Sequence, residues 1–171
     1  MPLMTNPATG LQANGGSQFA AKADEHRHFD ALRRMFALFP AALTALDNQY
    51  DLIIGQGTLD RSCRELIFAC AASARGDLYL AEAMANQAAL HGMGDPETAL
   101  AIASTANGRS DAESRLLAWV QKMATTPYKS VEADAEQLHA AGWSDQEIVE
   151  ALTVVSLSAY MSTMSLTLKL A

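Results

Sequence analysis

Residues that start and stop helices recur along this chain at helical intervals, and nothing between them alternates as a half-buried strand would. Pro40 suits the first turn of a helix running to about Asp51, because its missing N–H is one that a helix start leaves unbonded anyway. Gly55 and Gly57 break that helix. Asp60 can cap a helix over Arg61–Ala74, and Gly76 ends it. Asp77 caps the next, which is expected to reach about His91. Asp95-Pro96 is an N-cap followed by a proline at the first helical position. Ser110-Asp-Ala-Glu113 and Ser144-Asp-Gln-Glu147 both fit the capping box, in which serine and glutamate satisfy each other's exposed amides. Thr126-Pro127 and Gly142 close the helices between them. The expected class is all-α. Residues 1–20, with Asn14-Gly15-Gly16-Ser17, carry turn formers and no periodicity and read as a flexible tail. Residues 21–171 then form a single helical domain, a size that one core can serve.

The pattern repeats. Gly92-Met-Gly-Asp-Pro-Glu97 lines up with Gly142-Trp-Ser-Asp-Gln-Glu147, fifty residues on. Each stands at the end of a helical hairpin, so the pair over 60–91 is echoed by the pair over 111–141. Repeated hairpins bury little alone and stack around a shared core.

Charge narrows the partners. Twelve Lys and Arg stand against nineteen Asp and Glu, a formal net charge of −7. No basic patch exists to meet phosphates, which argues against nucleic acid and against an anionic membrane surface. No charged segment leads into an apolar run at the start, so the cytoplasm is the expected location. The two cysteines, Cys63 and Cys70, make no disulfide framework. The stretch from Ile148 to Leu170 is long and mostly apolar, yet it holds Glu150, Lys169 and seven Ser or Thr residues. A helix of that kind is expected in a core or between subunits rather than across a bilayer, so a homo-oligomer burying part of residues 148–171 is expected.

The run Glu65-Leu-Ile-Phe-Ala-Cys-Ala-Ala-Ser-Ala-Arg-Gly-Asp77-Leu-Tyr79-Leu80-Ala-Glu-Ala-Met84, with its lead-in Leu59-Asp-Arg-Ser-Cys-Arg-Glu65, resembles the core of the alkylhydroperoxidase D-like, carboxymuconolactone decarboxylase superfamily. That core carries Arg-Glu on one helix, a short turn, then Cys-x-x-Cys and a histidine one turn further along the next. Phe39-Pro40 through Gly57 is similar to the lead-in helix of the peroxidase-related branch, and Leu138-His-Ala-Ala-Gly-Trp-Ser-Asp-Gln-Glu-Ile148 to part of its second half. The resemblance implies a bundle built from repeated helical hairpins, assembled as a dimer, trimer or hexamer. It also implies a retained Glu65. The departures are specific. Asp77 stands at the first cysteine, Leu80 at the second and Met84 at the histidine. Ala159-Tyr-Met-Ser-Thr-Met-Ser165 stands where that branch has a polar Asn-Arg pair.

Chemistry-bearing residues are therefore few. Asp77 keeps a helix start, where a carboxylate suits the exposed amides, but it can be neither oxidised nor bridged. Leu80 and Met84 share a helix face and are expected either to pack in the core or to line a pocket, with His91 two turns further on. Glu65 either pairs with Arg61 four residues back or handles protons, with Asp77 and Tyr79 as the other proton-handling candidates. Cys63 and Cys70 lie about 10 Å apart along a helix at about 1.5 Å per residue, too far for a disulfide. Glu25, His26, His28 and Asp30 are ligand types at a helix start: His-x-His projects to opposite sides, while His26 and Asp30, four apart, could share an ion, but a solvated helix start is the expectation, with no metal and no cofactor. The expectation is a peroxidase-related protein without thiol peroxidase activity that binds a small molecule or serves as an oligomeric scaffold. Two alternatives stand beside it: a cofactor-free, decarboxylase-like enzyme using Glu65, Asp77 and Tyr79, and a residual antioxidant peroxidase using Cys63 or Cys70.

Overall fold

A computed structural model describes residues 29–170, which hold eight α-helices and no strand. They are α1 (Asp30–Phe36), α2 (Pro40–Gly55), α3 (Arg61–Ala74), α4 (Leu78–Ala88), α5 (Pro96–Thr105), α6 (Asp111–Thr125), α7 (Glu132–Ala140) and α8 (Asp145–Leu168). A widened helical turn over Ala89–Met93 follows α4, and a tight turn over Pro127–Lys129 follows α6. The tail and the Glu25, His26 and His28 cluster lie outside the described residues.

The fold is organised around α3. Every residue from Cys63 to Ala72 is buried, and α4, α5, α6 and α8 all pack against this helix. Burial on all sides is what an apolar helix seeks. The contact surfaces are rich in alanine, with Ala69, Ala71 and Ala72 on α3 and Ala81, Ala85 and Ala88 on α4. Small side chains let the helix axes approach closely. Gly76, at φ +79°, takes the left-handed conformation that turns α3 back into α4. The Asp77 amide closes the same turn onto the Ala72 carbonyl at 2.9 Å.

Several boundaries differ from expectation. Helix α2 runs past Asp51 to Gly55, since a glycine is tolerated as a last residue, and Gln56 then turns extended. Helix α4 stops at Ala88, short of His91, because His91 and Gly92 take non-helical backbone angles. Asp60 stands at the start of α3, but its side chain makes no capping bond. Ser110 caps Glu113 as expected, whereas the Glu113 carboxylate turns to the amide and guanidinium of Arg109 instead of the Ser110 amide. The Ser144–Glu147 box is complete. The repeat is partial: Gly92 and Gly142 share left-handed angles, but the first copy caps with Asp95 and the second with Ser144, one position earlier in the alignment.

Helix α8 is anchored to the hairpin by buried serines. Ser158 donates to the Phe68 carbonyl at 3.3 Å, and Ser165 donates to Asp77 Oδ1 at 3.2 Å. Near its start, the Glu150 carboxylate accepts the Thr58 and Leu59 amides at 2.8 and 2.9 Å. It also faces Arg64, whose Nε donates to the Ile54 carbonyl at 2.9 Å.

Candidate functional site: Glu65 and His91

Glu65 sits one turn into α3 and is fully buried. A carboxylate there needs donors for its charged form. Arg61, one turn back on the same face, supplies one through its Nε at 3.0 Å. The other comes from His91, whose Nδ1 lies 2.7 Å from Glu65 Oε2. Because α3 and α4 are antiparallel, the end of α4 comes back beside the start of α3. The widened turn then rotates His91 off the α4 face and onto Glu65. Gly92 and Gly94, with φ of +111° and +89°, make that turn feasible.

The three groups differ in access. Glu65 is sealed, while the side chains of His91 and Arg61 are each about one-third exposed, at 33% and 32%. An ionised carboxylate only accepts, so the hydrogen of the imidazole resides on Nδ1 and Nε2 is left as the basic nitrogen. A carboxylate placed in this way fixes the orientation of the imidazole ring and its tautomer. The arrangement therefore presents a ring nitrogen at the surface, backed by a sealed carboxylate.

The remaining candidates are placed elsewhere. Asp77 is about nine residues of α3, or roughly 14 Å of helix, plus a turn away from Glu65. It is 1% exposed, its Oδ1 accepts the Leu80 amide at 3.1 Å and the Ser165 hydroxyl, and its Oδ2 is buried without a bond. Tyr79 faces α1: burial pushes its hydroxyl above its ordinary value, against the opposing pull of the Ala31 and Leu32 backbone. Glu65, Asp77 and Tyr79 are thus not brought together. Leu80 and Met84 are fully buried, and Met84 Sδ accepts the Tyr50 hydroxyl at 3.6 Å. Of the three pocket candidates, only His91 reaches the surface.

The thiols are equally enclosed. Cys70 donates to the Leu117 carbonyl at 3.6 Å, and burial pushes it up to about 12. Cys63, also pushed up to about 12 by burial and then by Glu113, borders a separate cavity of about 500 Å³ beside Arg109 and Trp143. Both cysteines are free. Among the described residues no group of His, Cys, Asp and Glu is arranged to hold a metal. His91 was visible in the sequence, but its link to Glu65 was not. The sequence signal for it was the Gly92-Met-Gly94 run, which stops a helix before His91 can continue the α4 face.

In structure the chain is similar to an uncharacterized peroxidase-related protein from Silicibacter sp. TM1040, with a TM-score of 0.74 over 91% of this chain and 84% of that one, at 17% identity. At that identity the likeness establishes the fold alone, an all-α bundle. No family model matches the sequence, and no curated protein does.

Proposed function

We propose that this protein keeps the peroxidase-related scaffold without thiol peroxidase chemistry, and that it binds a small acidic molecule or lactone at His91, where the Glu65–His91 pair moves a proton. The observation that carries this reading is the 2.7 Å contact between a sealed carboxylate and an imidazole open to solvent.

Two features weigh against redox chemistry. The positions that the resemblance gives to the cysteine pair hold a helix cap, Asp77, and a core side chain, Leu80. A thiolate is the peroxide-attacking species, and burial holds both existing thiols far from that state. The separation of Glu65 from Asp77 moves the proton-transfer role from a pair of carboxylates to a carboxylate–imidazole pair.

The test has two arms. In the first, protein with ¹⁵N-labelled histidine is titrated with small carboxylic acids and lactones. The His91 ring signals should shift, and His91→Gln should bind none of them. In the second, hydroperoxide consumption with a dithiol should not exceed that of the free thiol. Turnover that vanishes in Cys70→Ser would overturn the reading and make Cys70 a peroxidatic residue.

A further inference from the structure

Helix α7 is tied to α6 by two contacts of different kinds. Leu138 is its one buried residue, and its Asp134 carboxylate accepts the Lys122 ammonium at 2.7 and 2.6 Å. Beside these ties the two helices leave a hollow of about 230 Å³. Its α6 wall is Arg115, Trp119 and Lys122, at i, i+4 and i+7 on one face. Its α7 wall is Asp134, Gln137 and Leu138, at i, i+3 and i+4. At about 30 Å³ per water the space equals about eight waters, which suits a head group with a short tail or a single ring. The hollow shares no residue with the Glu65–His91 site.

Three donor groups line this hollow without an acceptor among the described residues. The first is the Arg115 guanidinium. Arg64, Arg75 and Arg109 each bond a carbonyl or a carboxylate, whereas Arg115 does not take Asp111, one turn back, and lines the hollow instead. The second is the Trp119 indole N–H. The Trp143 indole donates to the Ala112 carbonyl at 3.0 Å, but that of Trp119, half-buried against the core, has no such partner. The third is the Gln137 side-chain amide. The one carboxylate in the lining, Asp134, is already occupied by Lys122 and by the Val131 amide. Two cations stand against that carboxylate, a local surplus of one positive charge in a chain of net charge −7. The field of so acidic a chain disfavours an anion of higher charge.

We propose that this hollow binds a small molecule with a singly charged, three-oxygen head, an organic sulfonate or a sulfate monoester. The one free guanidinium matches one negative charge, and its planar fork holds two oxygens. The Trp119 and Gln137 N–H groups address the third. A carboxylate has only two oxygens, and covering the hollow with one leaves a donor without an acceptor. A phosphate monoester carries a charge of about −1.5 to −2 at neutral pH, more than the local surplus offsets. The apolar part of the ligand lies against Ala118, the Trp119 ring and Leu138.

The two indole N–H signals of the full chain, labelled with ¹⁵N-tryptophan, read the outcome. Trp119→Phe assigns them, or Trp143→Phe where the first variant fails to fold. Benzenesulfonate should move the Trp119 signal and saturate below about 10 mM. Arg115→Gln, at an exposed site, should weaken that binding by about tenfold or more at an unchanged melting temperature. Benzenesulfonamide, the neutral counterpart of the same shape, and benzoate should give no saturable shift. The benzenesulfonate shift should persist in His91→Gln, which separates this hollow from the Glu65–His91 site. An absent or unsaturable Trp119 shift would overturn the inference, and so would undiminished binding in Arg115→Gln. Benzoate binding as tightly as benzenesulfonate would overturn the three-oxygen head, and tighter binding of phenyl phosphate would overturn the single charge.

Discussion

At the residue scale, the fate of each ionisable side chain follows from what surrounds it. Glu65 was legible as a buried carboxylate with Arg61 as its i−4 partner, because both lie on one predicted helix. Its second partner was hidden, because His91 lies past the end of a helix and its direction depends on a turn. Replacing Glu65 with Gln keeps the shape and removes the charge that both donors address. We expect a loss of about 1–3 kcal/mol in urea denaturation, with the His91 ring signals changing in the same variant. The buried thiols make a second prediction. With both held near 12 by burial, Ellman's reagent should label neither Cys63 nor Cys70 in the native protein at mildly alkaline pH, and should label both once it is unfolded. Rapid native labelling would contradict the burial of these side chains.

At the element scale, helix starts that look alike in sequence do different work. Ser144 bonds the Glu147 amide and closes a full box at the start of α8, so Ser144→Ala should cost about 1 kcal/mol. Asp60 occupies the same kind of position before α3 but caps nothing, so Asp60→Ala should leave the melting temperature nearly unchanged. Comparing the two by thermal denaturation separates a cap that forms from one that is only spelled. Gly57 is a sharper case. Its φ is +145°, and a Cβ there would come 2.5 Å from Arg64 Nη1 and 2.6 Å from Glu150 Oε2. Those two groups hold the start of α8 to the end of α2 and cannot simply swing aside. Gly57→Ala should therefore destabilise by roughly 1–3 kcal/mol, and most of that loss should persist in a Glu150→Gln background, where the backbone strain remains.

At the scale of the whole molecule, acid should unfold the bundle by uncoupling its ends. For Glu113, burial pushes upward but the Arg109 guanidinium and amide outweigh it, and the carboxyl lies below its ordinary value. For Glu150, burial is likewise outweighed by the Leu59 and Thr58 amides. Groups lowered by folding contribute fully above their unfolded value, about 4.3, and lose that contribution as pH falls through the folded value. The melting temperature should hold through neutral pH and fall below about pH 4, with a shallower fall in Glu113→Gln. By itself the sequence determined what is local: the all-α class, most helix starts, the Arg61–Glu65 pair and the absence of a cysteine pair at positions 77 and 80. Capping chemistry and i−4 contacts depend on neighbours a few residues apart, and those are written directly in the chain. Tertiary structure alone decided that His91 meets Glu65, that Asp77 turns to Ser165 and away from Glu65, and which half of α8 stays uncovered. Each of these depends on where antiparallel helices bring residues 26 to 88 positions apart, and no local period encodes such a meeting.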